Sequence, residues 1–134
     1  MEVKIDTKEK FTVVTPITSH LTANIAAELM QKCKELLHQP IKNVVLNMGS
    51  IEKLDENVVE SIMNIQQKFY DNSASFVICN LTKQVNEQLE EIGIAEVLNI
   101  TPTESEAWDI VQMEEIEREL LDGDDINFEN TSNG

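Results

Sequence analysis

One α/β domain, a mostly parallel sheet of four to five strands with helices packed mainly on one face, is the fold class this sequence predicts. Short β-branched runs alternate with single amphipathic helical stretches, the pattern of parallel strands joined by right-handed crossovers. The run "NVVLNM", Asn43 to Met48, is apolar at consecutive positions, as in a strand covered on both faces. The 134 residues, 41% hydrophobic, suffice for one core and leave little for a second. The expected order is ββαβαβαβα, and the sheet as read needs only one well-covered face.

Taken in order, "VKI" and "FTVVTP" are β-rich runs around the polar turn "DTKEK", which suits a hairpin ended by Pro16. Thr22 can cap a first helix whose apolar positions Ile25, Leu29, Leu36 and Leu37, with Ala26 and Cys33, keep helical spacing until Pro40. "NVVLNM" is the candidate central strand. A second helix runs from about Asn57 to Tyr70, with Val58, Val59, Ile62, Met63 and Phe69 on its apolar stripe. "ASFVICN" gives the next strand. Thr82 then caps a helix carrying Val85, Leu89 and Ile92, for which Gly93 is a left-handed stop. "AEVLNI" reads as the last strand. Thr103 and Glu106 have the spacing of a capping box for a final helix that turns Ala107, Trp108 and Val111 inward.

The domain is assigned to residues 1–112, followed by an acidic extension, 113–134. Ile116, Leu120 and Leu121 either pack along the domain as a helical continuation to about residue 121 or present an apolar edge to a partner. From Asp122 to Gly134 the composition is that of a mobile tail.

The formal charge of −15 opposes nucleic acid and acidic membranes, and no basic cluster offsets it. No apolar run reaches bilayer length and the N-terminus lacks the apolar centre of a secretory signal, so no direct membrane insertion and a cytoplasmic location are expected. Cys33 and Cys79 form no CxxC pair, and His20 and His38 have no second ligand nearby. They read as buried small hydrophobes and isolated imidazoles, with neither metal nor cofactor expected. The chain has only 4 Gly and no GxGxxG or GxxxxGK[ST] pattern, and no His lies near a Ser or Cys nucleophile in the local sequence. The expectation is a protein that is not an enzyme.

Asp55, Glu56 and Asn57 crowd the start of the second helix. Exposed N–H groups and the positive end of the dipole there favour such residues, by about 0.5–2 kcal/mol for a cap and about 0.3–1 for the dipole. Capping alone accounts for the cluster. The element order, however, together with "VVTPITSHLTANIAAEL", "NVVLNMGSIEKLDENVV" and "LEEIGIAEVLNITPTESEAW", resembles the STAS family, the fold of anti-anti-sigma factors and of sulfate-transporter cytoplasmic tails. The likeness runs from Val3 to Val111, and its middle segment is the most specific.

In that family an Asp-Ser-Ser-Gly segment opens the helix after the central strand, and its second Ser is the usual phosphorylation site. The matching run here is Asp55, Glu56, Asn57 and Val58, so the acid is kept while Asn57 stands at the phosphosite. Neither Glu nor Asn accepts a phosphoryl group from a Ser/Thr kinase. Glu56 adds one permanent charge near the place where a phosphate would add about −1.5 to −2. Ser19 and Thr22 stand where many relatives have Gly and Asp, and Asn47 replaces a common Asp. Ser61, one turn past Asn57, and Ser50 are the alternative hydroxyls.

The resemblance implies a bacterial regulatory module of signalling or transcription that binds a protein partner, with a kinase-like anti-sigma factor as the named candidate. Its contact residues would be Ser19, His20, Thr22, Leu54, Asp55, Glu56, Asn57, Val58 and Ser61, with Leu54 or Val58 supplying apolar contact if exposed. The alternative is a constitutive subunit of a larger assembly, of stressosome type or associated with a transporter.

Overall fold

The computed structural model describes residues 2–131, with side chains for residues 2–121. The elements are β1 (Val3–Thr7), β2 (Thr12–Pro16), β3 (His20–Leu21), α1 (Ala23–Leu36), β4 (Val44–Asn47), β5 (Lys53–Leu54), α2 (Val58–Asp71), β6 (Phe76–Cys79), α3 (Lys83–Ile92), β7 (Ile100–Thr101) and α4 (Glu104–Thr131). The main sheet has the order β1-β2-β4-β6-β7. The β1–β2 pair is the expected antiparallel hairpin, and β2, β4, β6 and β7 run parallel.

β4 lies in the middle because it can be covered everywhere. Val45 pairs with Val13 of β2 on one side and Val77 of β6 on the other, and Val44, Val45 and Leu46 are wholly buried. Alternate residues of these strands serve two cores, as the two-residue period of a strand requires. Val14, Val44, Leu46, Phe76 and Ile78 meet α1, α2 and α3. Phe11, Val13, Val45, Val77 and Cys79 meet Ala107 and Val111 of α4, and Trp108 stacks on Phe11 with ring centroids 5.2 Å apart.

Three helices therefore share one face, as expected, but the second face is covered too. The expectation that one covered face suffices fails because β4 and β6 are apolar on both sides. Exposing Val13, Val45 and Val77 to water would cost about 1.5–3 kcal/mol each.

Polar contacts fasten α4 across this second face. Buried Asn43 donates from Nδ2 to the Lys10 carbonyl at 3.0 Å and to Glu115 Oε2 at 2.7 Å, while its Oδ1 accepts from Ser75 N–H at 2.8 Å. Arg118 Nη1 donates to Ser75 Oγ at 3.3 Å, and Asn99 Nδ2 donates to Glu114 Oε2 at 3.2 Å. Glu114, Glu115 and Arg118 thus turn inward along a helical continuation of the domain, while Ile116, Leu120 and Leu121 are left exposed on it. The α4 backbone is helical to Thr131, past the stop expected near Leu121. Of the segment expected to be a mobile tail, Asp122 to Gly134, the backbone to Thr131 is helical and residues 132–134 lie outside the described residues.

Local signals hold at most helix ends. Thr22 and Thr82 accept from Ile25 N–H and Val85 N–H, each at 3.3 Å. Gly93 ends α3 at φ 86°, in the left-handed region where a side chain would be strained. Thr103 Oγ1 accepts from Glu106 N–H at 3.2 Å, although the Glu106 carboxylate takes the Thr103 hydroxyl rather than its backbone N–H. The last strand needs correction, because residues 95–98 of "AEVLNI" are in turns and only Ile100–Thr101 pair with β6. The side chain of Gln66 replaces the missing strand pairing there, donating to the Val97 carbonyl at 3.0 Å and accepting from Asn99 N–H at 2.9 Å.

Phe69 of α2 is wholly buried against Phe76 of β6, with ring centroids 5.3 Å apart. Phe69→Ala is expected to lower stability by about 3–5 kcal/mol in urea unfolding with an unchanged denaturant slope. A loss under about 1 kcal/mol would place this ring outside the core.

Candidate functional site

The segment Gly49 to Asn57 links β4 to α2 across one end of the sheet. It begins with a tight turn in which Asn47 Oδ1 accepts from Gly49 N–H at 2.9 Å; a Cβ on Gly49 would come within 3.1 Å of that oxygen. The chain then dives inward, burying Met48, Ile51 and Leu54 almost completely. Backbone buried this way needs partners. Thr82 Oγ1 donates to the Ile51 carbonyl at 2.8 Å, and the Gln88 amide bonds both sides of Leu54, accepting from its N–H at 3.2 Å and donating to its carbonyl at 2.7 Å.

A second, two-stranded sheet joins this segment to the loop before α1. β3 and β5 pair in parallel, His20 opposite Lys53 and Leu21 opposite Leu54. The Ser19 carbonyl accepts from Glu52 N–H at 2.7 Å and from Lys53 N–H at 3.1 Å, and the Leu21 carbonyl accepts from Asp55 N–H at 3.0 Å. Neither two-residue strand has enough periodicity to be legible in sequence.

Asp55 completes the join with its side chain. Oδ1 accepts from His20 Nε2 at 2.7 Å, and Oδ2 accepts from Ala23 N–H at 3.2 Å, in the first turn of α1. One carboxylate therefore binds β3 and the start of α1 at once. The acid expected to serve its own helix serves its neighbour's, where free N–H groups and the dipole favour an anion. The Asp55 carboxyl is held below its ordinary pKa, chiefly by the His20 hydrogen bond. Desolvation works against this, while the Ala23 N–H and the charges of His20 and Lys53 assist.

Side-chain capping of α2 by the acidic cluster is thus corrected. Asn57 occupies the N-cap position but has helical backbone angles, φ −73° and ψ −9°, and makes no side-chain capping bond. The entry turn is closed by the backbone instead, Val58 N–H to the Asp55 carbonyl at 3.0 Å and Val59 N–H to the Glu56 carbonyl at 3.2 Å. Glu56 and Asn57 are exposed on the rim beside this turn.

Of the other expected contact residues, Ser19 is exposed, and His20, Thr22 and Ser61 are half-buried. Leu54 and Val58 are each 1% exposed, so neither offers the surface apolar contact that the sequence allowed; both are tied into the core under the loop. Ser50 is half-buried. Gln88 and the Thr82 hydroxyl bond were not foreseen, since neither has a local sequence signature.

Cys33 and Cys79 are wholly buried, and burial pushes their thiols up to about 12 and about 11. Among the described residues no cluster of three metal-ligating side chains occurs, and no helix is long and apolar enough to cross a membrane.

Residues 2–107 match the family model of the STAS domain. Among solved structures, the fold is similar to a Thermotoga maritima protein proposed to be an anti-sigma factor antagonist, with a TM-score of 0.72 and 18% identity over 82% of this chain and 94% of that one. It is similar to the Bacillus cell fate determinant SpoIIAA in its phosphorylated form, at TM-score 0.61 and 13% identity over 82% and 99% of the two chains. It is also similar to part of the murine anion transporter Slc26a9, at TM-score 0.65 and 14% identity, covering 78% of this chain but 18% of the transporter. At these identities the likeness is one of fold. A comparison with curated protein sequences finds no match.

Because the Asp55 carboxyl is lowered in the folded state, its stabilising contribution is complete above the unfolded carboxyl value of about 3.9 and is lost as pH falls through the folded one. Urea unfolding of Asp55→Asn between pH 3 and 6 should give a shallower acid-side loss of stability than the parent. An identical pH dependence in the two proteins would show that this carboxylate bonds equally well in both states.

Proposed function

The chain belongs to the STAS domain family, and on that premise we propose that it is a non-enzymatic regulatory module that docks a protein partner through the rim at Glu56 and Asn57. Phosphorylation at the family position does not switch it. The observation that carries this reading is Asn57 itself, exposed at the start of α2 with no side-chain capping bond, where the family resemblance puts the phosphorylated Ser.

The physical logic concerns charge at a helix start. A phosphate added beside free N–H groups is held by them and the dipole, and it changes the local charge by about −1.5 to −2, enough to turn a docking surface on or off. An amide side chain has no atom to receive that group. It can still donate and accept hydrogen bonds to a partner, as Glu56 can accept them. The Asp55 bonds to His20 and Ala23 hold the rim in one shape, which lowers the ordering cost of docking.

The partner proposed is a protein of the kinase-like anti-sigma type, with Ser19, His20 and Thr22 forming the neighbouring edge of the same surface. Cytoplasmic action in a bacterial signalling or transcription-regulating system goes with that partner. A second reading, a constitutive subunit of a larger assembly, draws on the same lost hydroxyl and on the fold shared with a segment of an anion transporter.

Charge reversal in the double variant E56K/N57K is expected to weaken binding to a purified cognate anti-sigma kinase by at least about tenfold in calorimetry, the scale of a central interface contact. Unchanged affinity would remove this surface from the interface. Incubation with that kinase and ATP should leave Asn57 and Ser61 without a phosphoryl group by mass spectrometry, whereas Asn57→Ser should gain one. Size-exclusion of lysate separates the two readings: a constant large complex supports the subunit, and a free monomer that shifts with partner supports the regulator.

A further inference from the structure

The outward side of α4 combines two features that no contact within the domain uses. Met113, Ile116, Leu120 and Leu121 are 56%, 54%, 57% and 66% exposed; steps of three and four residues place Met113, Ile116 and Leu120 on one side of the helix, with Leu121 at its flank. Glu117 stands within this stripe and Glu119 at its edge, both exposed and without an ion pair among the described residues. The opposite side of the same turns is anchored to the sheet through Glu114, Glu115 and Arg118. The stripe is therefore presented on a fixed helix, and it lies beyond residues 2–107, which carry the family match.

Charge selects the occupant. A second copy of this chain would bring another acidic helix against the first, in a protein of formal charge −15. The chain's own C-terminal segment, from Asp122 onward, adds Asp122, Asp124, Asp125 and Glu129 with no Lys or Arg, so it meets the same repulsion. A lipid surface with anionic headgroups is opposed for the same reason. Apolar side chains flanked by acids are complementary to a helix carrying apolar residues on one side and Lys or Arg beside them.

We propose that the outer face of α4 is a second docking surface, separate from the rim at Glu56 and Asn57, and that it takes a cationic amphipathic helix of a partner protein. Apolar contact along Met113, Ile116, Leu120 and Leu121 supplies the seat. Glu117 and Glu119 orient the basic residues and exclude acidic competitors.

Fluorescence anisotropy on the full chain tests this with a labelled 18-residue helical peptide bearing Leu on one side and Lys on the flanks, and with its Lys→Glu counterpart. The Lys peptide is expected to bind with a micromolar Kd that weakens as salt is raised, and the Glu peptide is expected not to bind. The double variant I116S/L120S should lose at least about tenfold in affinity, and Leu121→Ser alone a smaller part of it. Their thermal midpoints should match the parent, since each side chain is more than half exposed. Equal affinity of I116S/L120S for the peptide, binding of the Glu peptide, or an equal loss in the control E87Q/E90Q/E91Q on α3 would overturn the proposal. Self-association of the parent that I116S/L120S abolishes would assign the face to a second copy instead.

Discussion

The β4 strand, hydrogen-bonded on both edges and wholly buried on both faces, is the constraint from which the rest of this structure follows. A strand of Val44, Val45 and Leu46 with no polar side to turn outward has to be roofed twice. The first roof is supplied by the crossover helices α1 and α2 with α3, which local chain connectivity brings to one face. Crossover helices gathered on one face leave the other open, and α4, which follows the last strand, is the segment that covers it. Its attachment through Asn43, Ser75 and Asn99 uses polar groups at strand ends, of which Asn43 and Ser75 are buried.

The same constraint shapes the candidate surface. Because β4 ends under a covered core, the chain leaving it cannot run directly over the surface into α2. It first buries Met48, Ile51 and Leu54, then returns outward at Asp55. Backbone groups on that path are met by the Thr82 and Gln88 side chains, by the strand in the loop before α1, by the Cys79 carbonyl of β6 and by local turn bonds. The rim of Glu56 and Asn57 is what remains outside, held by a carboxylate that spans to another helix. A loop fixed by so many long-range bonds is suited to presenting one surface, and under the proposed function Asn57 offers no hydroxyl through which charge could alter it.

The two faces of the molecule thus present different chemistry. The rim at the start of α2 offers hydrogen-bonding groups on a rigid turn, with its apolar residues, Leu54 and Val58, committed to the core. The outer side of α4 offers exposed apolar side chains among acids, while Glu114, Glu115 and Arg118 on its inner side bond to the sheet. In both places the domain decides the surface by what it takes inward: Leu54 and Val58 at the rim, and those three side chains at α4.

How much of this was legible in sequence follows from the range of the interactions. Alternation of strand and helix, the caps at Thr22 and Thr82, the stop at Gly93 and the burial of the two cysteines rest on neighbours within a few residues, and the chain order alone determined them. The resemblance carried by "NVVLNMGSIEKLDENVV" likewise pointed to the family without coordinates. What only the tertiary structure decided is every pairing between distant segments: β3 with β5, Gln88 with Leu54, Gln66 in place of a longer last strand, and α4 on the second face. Asp55 is the clearest case. Its sequence neighbours assign it to α2, but hydrogen bonds act over about 3 Å of space irrespective of chain distance, and in the folded protein the nearest unmet donors belong to His20 and Ala23.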